Sequence, residues 1–345
     1  MALTFNSNNI TTATWNGNSL TQINWNGVKV WPEVTPVEPN YFYIKNNDAE
    51  NSYQFYFNAP NGDETAYTPE LYYSTDKTNW TQYYLNTTVT LTPGQKCYFK
   101  AGTNGNNGFS TSETDCWHFQ HNAPSAGIIS IGGDLSTVMN ENGGVTNAGY
   151  GFNFCGTFRN DGSGVYSGLQ WPKIGIDNTF VIPFTSIGTY AFSNFSKAGF
   201  HSSFFPDLSH LQNVGSFGLF NAFNYNEWAT AVTVDLTGVT TISGDTQFQN
   251  LMSYASYTAN GSIIVYLGPA ITGTQRVYRY MFREVGIPME VHVPWTSWPN
   301  GYNSTQAWLE SVTGTFYCPQ ALGTNETITR DNNHCPSGMT VVNTD

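Results

Sequence analysis

The acids at Asp207 and Asp235 are the first residues whose spacing raises the question of chemistry. They hold matching places in Phe204-Phe205-Pro206-Asp207-Leu208 and Val232-Thr233-Val234-Asp235-Leu236, so a repeating fold would set them in a ladder on one surface. Two facing carboxylates are what glycoside hydrolysis requires, one to protonate the leaving oxygen and one to act as nucleophile or base. The same residues at strand ends can also serve as turn caps, and that structural role is the expected one. Glu227, Asp245, Glu284 and Glu290 are scattered and share no motif. Within Asp115-Cys116-Trp117-His118-Phe119-Gln120-His121, Cys116 and His118 would face one side of a strand, which could begin a metal site. No second cluster stands at ligand spacing, and there is no Gly-x-Ser-x-Gly elbow, no phosphate loop and no Cys-x-x-Cys pair. The expectation is a chain without catalytic residues, metal or cofactor.

Aromatic residues offer the other kind of site. Trp295, Trp298 and Tyr302 fall in one short Pro-, Ser- and Asn-containing stretch, and Trp228 follows Asn224-Tyr225-Asn226-Glu227. Exposed rings with such neighbours would give sugars a flat apolar face beside hydrogen-bonding groups. The alternative is that these rings seal a solenoid end or a subunit interface. A second aromatic set lies near the start: Thr14-Trp15-Asn16-Gly17-Asn18-Ser19-Leu20, then Asn24-Trp25-Asn26-Gly27-Val28-Lys29-Val30-Trp31. Asn-Gly between β-formers signals a tight hairpin, because both central residues of a type I′ turn need positive φ. Hairpins this small do not stand alone in water. Trp15, Asn16, Gly17, Trp25, Asn26, Gly27 and Trp31 are therefore candidates for attachment to another chain, or they pad the domain that follows.

The elements that must position any site are set by a repeat over residues 180–293. Ile182, Phe184, Ile187 and Phe192 return as Leu208, Leu211, Val214 and Phe220, as Leu236, Val239, Ile242 and Phe248, and more loosely as Leu267, Ile271, Val277 and Phe282. Each unit carries a short β-prone run, the third being Ile263-Ile264-Val265-Tyr266-Leu267 and the last Val291-His292-Val293. A period in the twenties with one strand per unit predicts a leucine-rich-repeat-like solenoid, whose units bury their apolar sides only by stacking. Phe192, Phe220, Phe248 and Phe282 are expected one above another inside it. Ser304 followed by Trp308, Leu309 and Val312 predicts a short amphipathic helix closing the array.

Upstream, short alternating runs at 41–44, 53–57, 71–74, 80–85, 89–91, 97–100 and 116–119, with turn residues between them, predict an immunoglobulin-like β-sandwich. The expected organisation of this mainly β chain is a hairpin segment over 1–32, a Pro-rich linker over 33–40 and a sandwich over 41–122. A Gly-rich connector over 123–149, a solenoid with its cap over 150–320 and a polar, irregular tail over 321–345 follow.

Composition narrows the function. Among 345 residues only 10% are charged and 16% are aromatic, and a formal charge of −12 with 12 Lys plus Arg disfavours nucleic acid and anionic membranes as partners. Met1-Ala2-Leu3-Thr4-Phe5-Asn6 has neither the cationic start nor the apolar core of a signal peptide, and no apolar run reaches membrane-spanning length. Cys97, Cys116, Cys155, Cys318 and Cys335 form no recognisable disulfide framework; Cys97 with Cys116, or Cys318 with Cys335, could pair across a sheet or loop.

Ser186-Ile187-Gly188-Thr189-Tyr190-Ala191-Phe192 and Val214-Gly215-Ser216-Phe217-Gly218-Leu219-Phe220 resemble the BspA-type leucine-rich repeat. The family's frequent Cys after the aromatic is Asn194, Asn221 or Gln249 here, and Ser243-Gly244-Asp245 replaces Gly-x-x-Ala. The segments Leu71-Tyr72-Tyr73-Ser74-Thr75-Asp76 and Leu91-Thr92-Pro93-Gly94-Gln95-Lys96-Cys97 resemble the β-domain that often precedes such repeats in gut bacteria and their phages. The opening Trp-Asn-Gly motif is similar to the N-terminal tag of phage tail, fibre and head-decoration proteins. These resemblances imply a non-enzymatic virion protein, made in a host cytoplasm. It would be bound to other virion proteins through its N-terminal segment, oligomeric with a trimer as one option, and directed at a host-surface glycan or protein. A secreted bacterial adhesin and a glycan-degrading tailspike are the alternatives.

Overall fold

The computed structural model describes residues 13–15, 18–20, 23–25, 28–31, 39–58, 70–102, 118–121, 128–139, 147–148, 175–188, 191–192, 195, 200–201, 204–228, 230–257, 262–271, 275–301 and 303–345. At 13–15, 18–20, 23–25, 28–31, 58, 118–121, 147–148, 200–201 and 257 it describes backbone alone. The chain divides into two units, Met1–Asn40 and Tyr41–Asp345.

In the first unit two short antiparallel strand pairs flank the Asn-Gly positions. Ala13–Trp15 pairs antiparallel with Asn18–Leu20, and Ile23–Trp25 with Val28–Trp31, the second pair carrying a register shift between Ile23 and Asn24. Asn16, Gly17, Asn26 and Gly27 lie outside the described residues, as does most of the Pro-rich linker.

The second unit begins with two sheets packed through aromatic side chains. Strands Tyr43–Asn46, Leu71–Ser74, Thr81–Tyr83 and Lys96–Ala101 belong to a six-stranded sheet, and Tyr53–Asn58, Val89–Leu91 and His118–His121 form a three-stranded one. Phe55 and Phe57 meet Phe99 edge-on at 6.0 and 5.7 Å between centroids, and all three are fully buried. The six-stranded sheet also takes Ile129–Gly132, within the expected connector, and a parallel partner, Gly175–Ile176. Its core runs without a break into the repeat region, where Phe180 stacks on Phe195 at 5.6 Å.

From there the chain coils, and every strand pair is parallel. Asn147–Ala148, Ser186–Ile187, Asn213–Val214 and Thr241–Ile242 line one side, and Phe200–His201, Glu227–Trp228 and Ser256–Tyr257 another. The third side is a five-stranded sheet of Val232–Leu236, Ile263–Leu267, Pro288–His292, Thr313–Cys318 and Met339–Asn343. Parallel neighbours need a long crossover, and here one whole coil supplies it. Val232, Val234 and Leu236, like Ile263, Val265 and Leu267, point inward and are buried, which is the alternation the sequence shows.

The remaining side is built from consecutive β-turns. In residues 215–224, the N–H groups of Gly218, Phe220, Ala222 and Asn224 each donate to the carbonyl three residues earlier. The intervening N–H groups, at Phe217, Leu219, Asn221, Phe223 and Tyr225, donate to Asp245, Gln247, Gln249, Leu251 and Ser253 of the next coil. Every second turn carries positive φ, at Phe217, Asn221 and Tyr225, then Thr246, Asn250 and Tyr254, then Arg276, Tyr280 and Glu284, then Asn303, Ala307 and Ser311. The expected helix over 304–312 is the last of these turn runs. Its buried residues are Ser304, Thr305, Ala307, Trp308, Leu309 and Val312, and the return of Ser304, Trp308 and Val312 at every fourth position mimics a helical period.

The turn ladder also shifts the expected column of phenylalanines. Val214 pairs with Ile242, 28 residues on, but Phe217 and Thr246 occupy equivalent turn positions 29 residues apart, the extra residue falling in Ser243-Gly244-Asp245. Leu219 therefore matches Phe248, which stacks on Tyr278 at 5.9 Å, and Phe282 belongs to the adjacent column. Phe192, Phe248 and Phe282 are buried, whereas Phe220 is half-buried.

The far end is closed by residues 319–338, not by a helix. Asn333 Oδ1 accepts from the Ala307 N–H, His334 O from the Trp308 indole, and Asn325 with Arg330 covers the edge of Met339–Asn343. The expected irregular tail thus contributes both a cap and a strand.

Candidate binding groove

The outward face of the five-stranded sheet carries one aromatic column. Strand register aligns Asp235, Tyr266, His292, Tyr317 and Val342. The His292 imidazole is sandwiched between two phenols, 4.5 Å from Tyr266 and 4.2 Å from Tyr317, at interplanar angles of 26° and 4°. These spacings follow the separation of neighbouring strands, so the sheet itself brings the rings to stacking distance.

Beside this column lies an open groove of about 410 Å³. One wall is Tyr266, His292 and Tyr317; the other is the chain leaving the strands, with Leu267, Gly268, Pro269, Val293 and Pro294; Thr237 and Thr344 also line it. Pocket-sized volume with apolar walls and a few polar groups is the usual form of a ligand site. Beneath it the Trp295 indole donates to Gly268 O at 3.0 Å and fixes the floor. Two acids border the column: Glu290 Oε2 lies 3.8 Å from His292 Nε2, and Asp235 stands next to Tyr266. Asp235 Oδ1 accepts from the N–H and hydroxyl of Thr237, capping the turn after its strand, and Asp207 does likewise for the Ser209 N–H. The Ser209 hydroxyl and N–H hold the Asp207 carboxyl below the ordinary carboxylate range.

The tryptophans singled out in the sequence lie elsewhere. Trp228 and Trp295 are buried, at 0% and 1% exposure, so neither offers a ring face to a ligand. Trp228 packs against Phe205 and Phe223, and Trp295 against Tyr278 and Trp308, filling the wide interior that the parallel sides leave. Trp298 is half-buried and stacks on Phe316 at 5.9 Å. Tyr302, like Cys116, lies outside the described residues, and only the backbone is described at Trp15, Trp25, Trp31, His118 and His121. Among the described residues no three His, Cys, Asp or Glu side chains converge as metal ligands, and no helix is long and apolar enough to cross a membrane.

Sequence reasoning passed over Tyr266, His292 and Tyr317. The signal available was the outward parity of Tyr266 and His292 in two recognised runs; the strand holding Tyr317 was not recognised. Cys97, Cys318 and Cys335 are free and buried, and burial pushes the thiols of Cys318 and Cys335 each up to about 11. The chain matches no protein-family model, no curated protein and no solved structure.

Proposed function

We propose that the chain is a non-enzymatic recognition protein of the virion fibre or decoration kind. Its first unit attaches to a particle, and its second presents the groove beside Tyr266, His292 and Tyr317 to a host-surface glycan or protein. The observation that carries this reading is the stacked column itself: three rings held rigidly at the rim of an apolar groove form a preorganised surface, which lowers the ordering cost of binding. In this reading the sandwich is an immunoglobulin-like spacer and the coils are a BspA-type array, on the strength of Ile187-Gly188-Thr189-Tyr190-Ala191-Phe192. The paired hairpins of the first unit suit addition to a larger sheet. Many copies on one particle would turn weak single contacts into firm attachment.

The test is binding of the full chain to immobilised host-surface glycans and to intact cells. Wild type is expected to bind, and Tyr266→Ala or Tyr317→Ala to weaken binding by about tenfold, on the order of 1.4 kcal/mol. Equal binding by wild type and both variants would remove the groove from the account.

A further inference from the structure

The outer face of the six-stranded sheet and the loop beside it hold four of the 12 Lys and Arg of an acidic chain. Register places Lys45 directly opposite Lys96, Tyr43 opposite Tyr98, and Lys100 opposite Tyr72, all on the side away from Phe42, Ile44, Cys97 and Phe99, which are buried. Lys77 joins them from the loop after Ser74. These four are all the lysines of the second unit whose side chains are described, in a chain with 24 acids and 12 Lys plus Arg. Like charges directly opposite one another across a strand pair are destabilising, so the arrangement is not what folding alone would select.

Each of three ammonium groups rests on an aromatic ring: Lys96 on Tyr43 at 3.9 Å, Lys100 on Trp80 at 4.3 Å and Lys77 on Tyr98 at 4.9 Å. The rings are themselves fixed. Tyr43 donates to Asp177 at 2.7 Å, Trp80 donates to Lys77 O at 2.9 Å, and Tyr41 meets Trp80 edge-on at 4.9 Å. A ring occupies one side of an ammonium, which at Lys96 and Lys100 leaves N–H donors on the other side for a ligand. Burial, together with Lys45 and Lys77, holds Lys96 below the ordinary lysine range, with Asp177 acting the other way. The acids bordering the face are engaged locally: Asp177 by Tyr43, Glu70 by Tyr72, and Asp76 by its own loop.

We infer that this lysine–aromatic face is a second binding site, for an acidic polysaccharide whose sulfate or carboxylate groups bridge the ammonium groups of Lys45, Lys96 and Lys100. Charge complementarity selects the occupant. A single-stranded nucleic acid would need open ring faces for its bases, and the lysines cover the faces of Tyr43, Tyr98 and Trp80. Duplex DNA, with one charge per roughly 1.7 Å, would meet the remainder of a chain of formal charge −12. A flexible acidic glycan can follow the face alone. The inference is independent of the groove on the five-stranded sheet.

The probe is dextran sulfate, with neutral dextran of equal length and single-stranded DNA of equal charge as comparisons, measured by biolayer interferometry on the full chain. Dextran sulfate is expected to bind, dextran not to, and DNA to bind at least tenfold more weakly. Raising salt from 50 to 200 mM should weaken the complex by on the order of twentyfold for about three ionic contacts. The Lys45→Gln/Lys77→Gln/Lys96→Gln/Lys100→Gln variant should lose at least twentyfold, the matching Lys→Arg variant should retain binding, and Tyr266→Ala should leave it unchanged. If the fourfold glutamine variant does not fold, Lys45→Gln alone should weaken binding about threefold to fivefold. Undiminished binding by a folded glutamine variant, no binding of dextran sulfate at 50 mM salt, or tighter binding of DNA would each overturn the inference.

Discussion

Arg330 Nη2 donates to Asn325 Oδ1 at 2.7 Å, and the pair stands where the next strand of the five-stranded sheet would lie. Asn325 Oδ1 accepts the Val341 N–H at 3.1 Å, and Arg330 Nη1 donates to Met339 O at 2.7 Å. Thr344 N–H, of the opposite parity, bonds inward to Cys318 O. Two side chains thus replace the donor and acceptor of a missing peptide and blunt an edge that would otherwise recruit another chain. Arg330→Ala should lower stability by about 2–3 kcal/mol, the range for bonds to a charged donor that leave a buried acceptor. It should also produce concentration-dependent self-association in light scattering. A variant that remains monomeric at every concentration would show that the edge is protected by other means.

Thr246 is a β-branched residue at φ 66°, where its left-handed conformation is strained, and its buried hydroxyl makes no hydrogen bond. The turn ladder imposes this geometry, since the Thr246 N–H is held by Gln275 O in the next coil. Thr246→Gly should therefore stabilise the chain by about 1 kcal/mol. Urea unfolding should show a higher midpoint with an unchanged slope. A lowered midpoint would mean that packing of the Thr246 methyl outweighs the strain.

Those same turns explain which parts of the fold were legible in the sequence. Val232–Leu236 and Ile263–Leu267 alternate cleanly because one face is core and the other is not, and both were readable as strands. The turn runs were not, because most of their positive-φ positions, Phe217, Arg276 and Tyr280 among them, carry residues with no turn signature. Hydrogen bonds between coils enforce a conformation that local propensity would not choose. The aromatic column was hidden for another reason: Tyr266, His292 and Tyr317 follow one another at 26 and 25 residues, whereas earlier coils are longer, so no fixed period connects them. For Trp228 and Trp295 the sequence offers both a ligand-facing ring and a ring that seals the solenoid, and their burial decides for an interior place; polar neighbours in sequence need not be neighbours in space.

Acid should loosen the two packed sheets through their loop carboxylates. Asp76 accepts from the N–H groups of Asn79 and Thr78, the Asn79 side chain and the Ser74 hydroxyl, and these bonds, the Asn79 N–H foremost, hold it far below the ordinary carboxylate range. Asp48 is lowered in the same way by the N–H groups of Asn51 and Glu50. A carboxyl whose folded value is depressed stabilises the fold above its unfolded value, near 3.9, and that contribution disappears as pH falls through the folded value. Melting temperature should therefore hold steady from pH 7 to about pH 5 and fall below about pH 4. Asp76→Asn should melt lower at pH 7 and lose less on acidification. An acid limb identical to wild type would remove Asp76 from its cause.

His292 holds the groove wall together, because it is the only link between Tyr266 and Tyr317 in their column. Removing its ring leaves the two phenols separated by two strand spacings, about 9.5 Å, too far to touch. Two ring contacts are lost, at roughly 0.5–1.5 kcal/mol each, so His292→Ala should destabilise by about 1–3 kcal/mol. His292→Phe keeps a flat ring at the same height and should stay within about 0.5 kcal/mol of wild type. Stability by urea unfolding separates stacking from charge: if Phe costs as much as Ala, the 3.8 Å approach of Glu290 matters more than the rings. If Ala costs nothing, the column is held by its strands alone and the wall does not depend on His292.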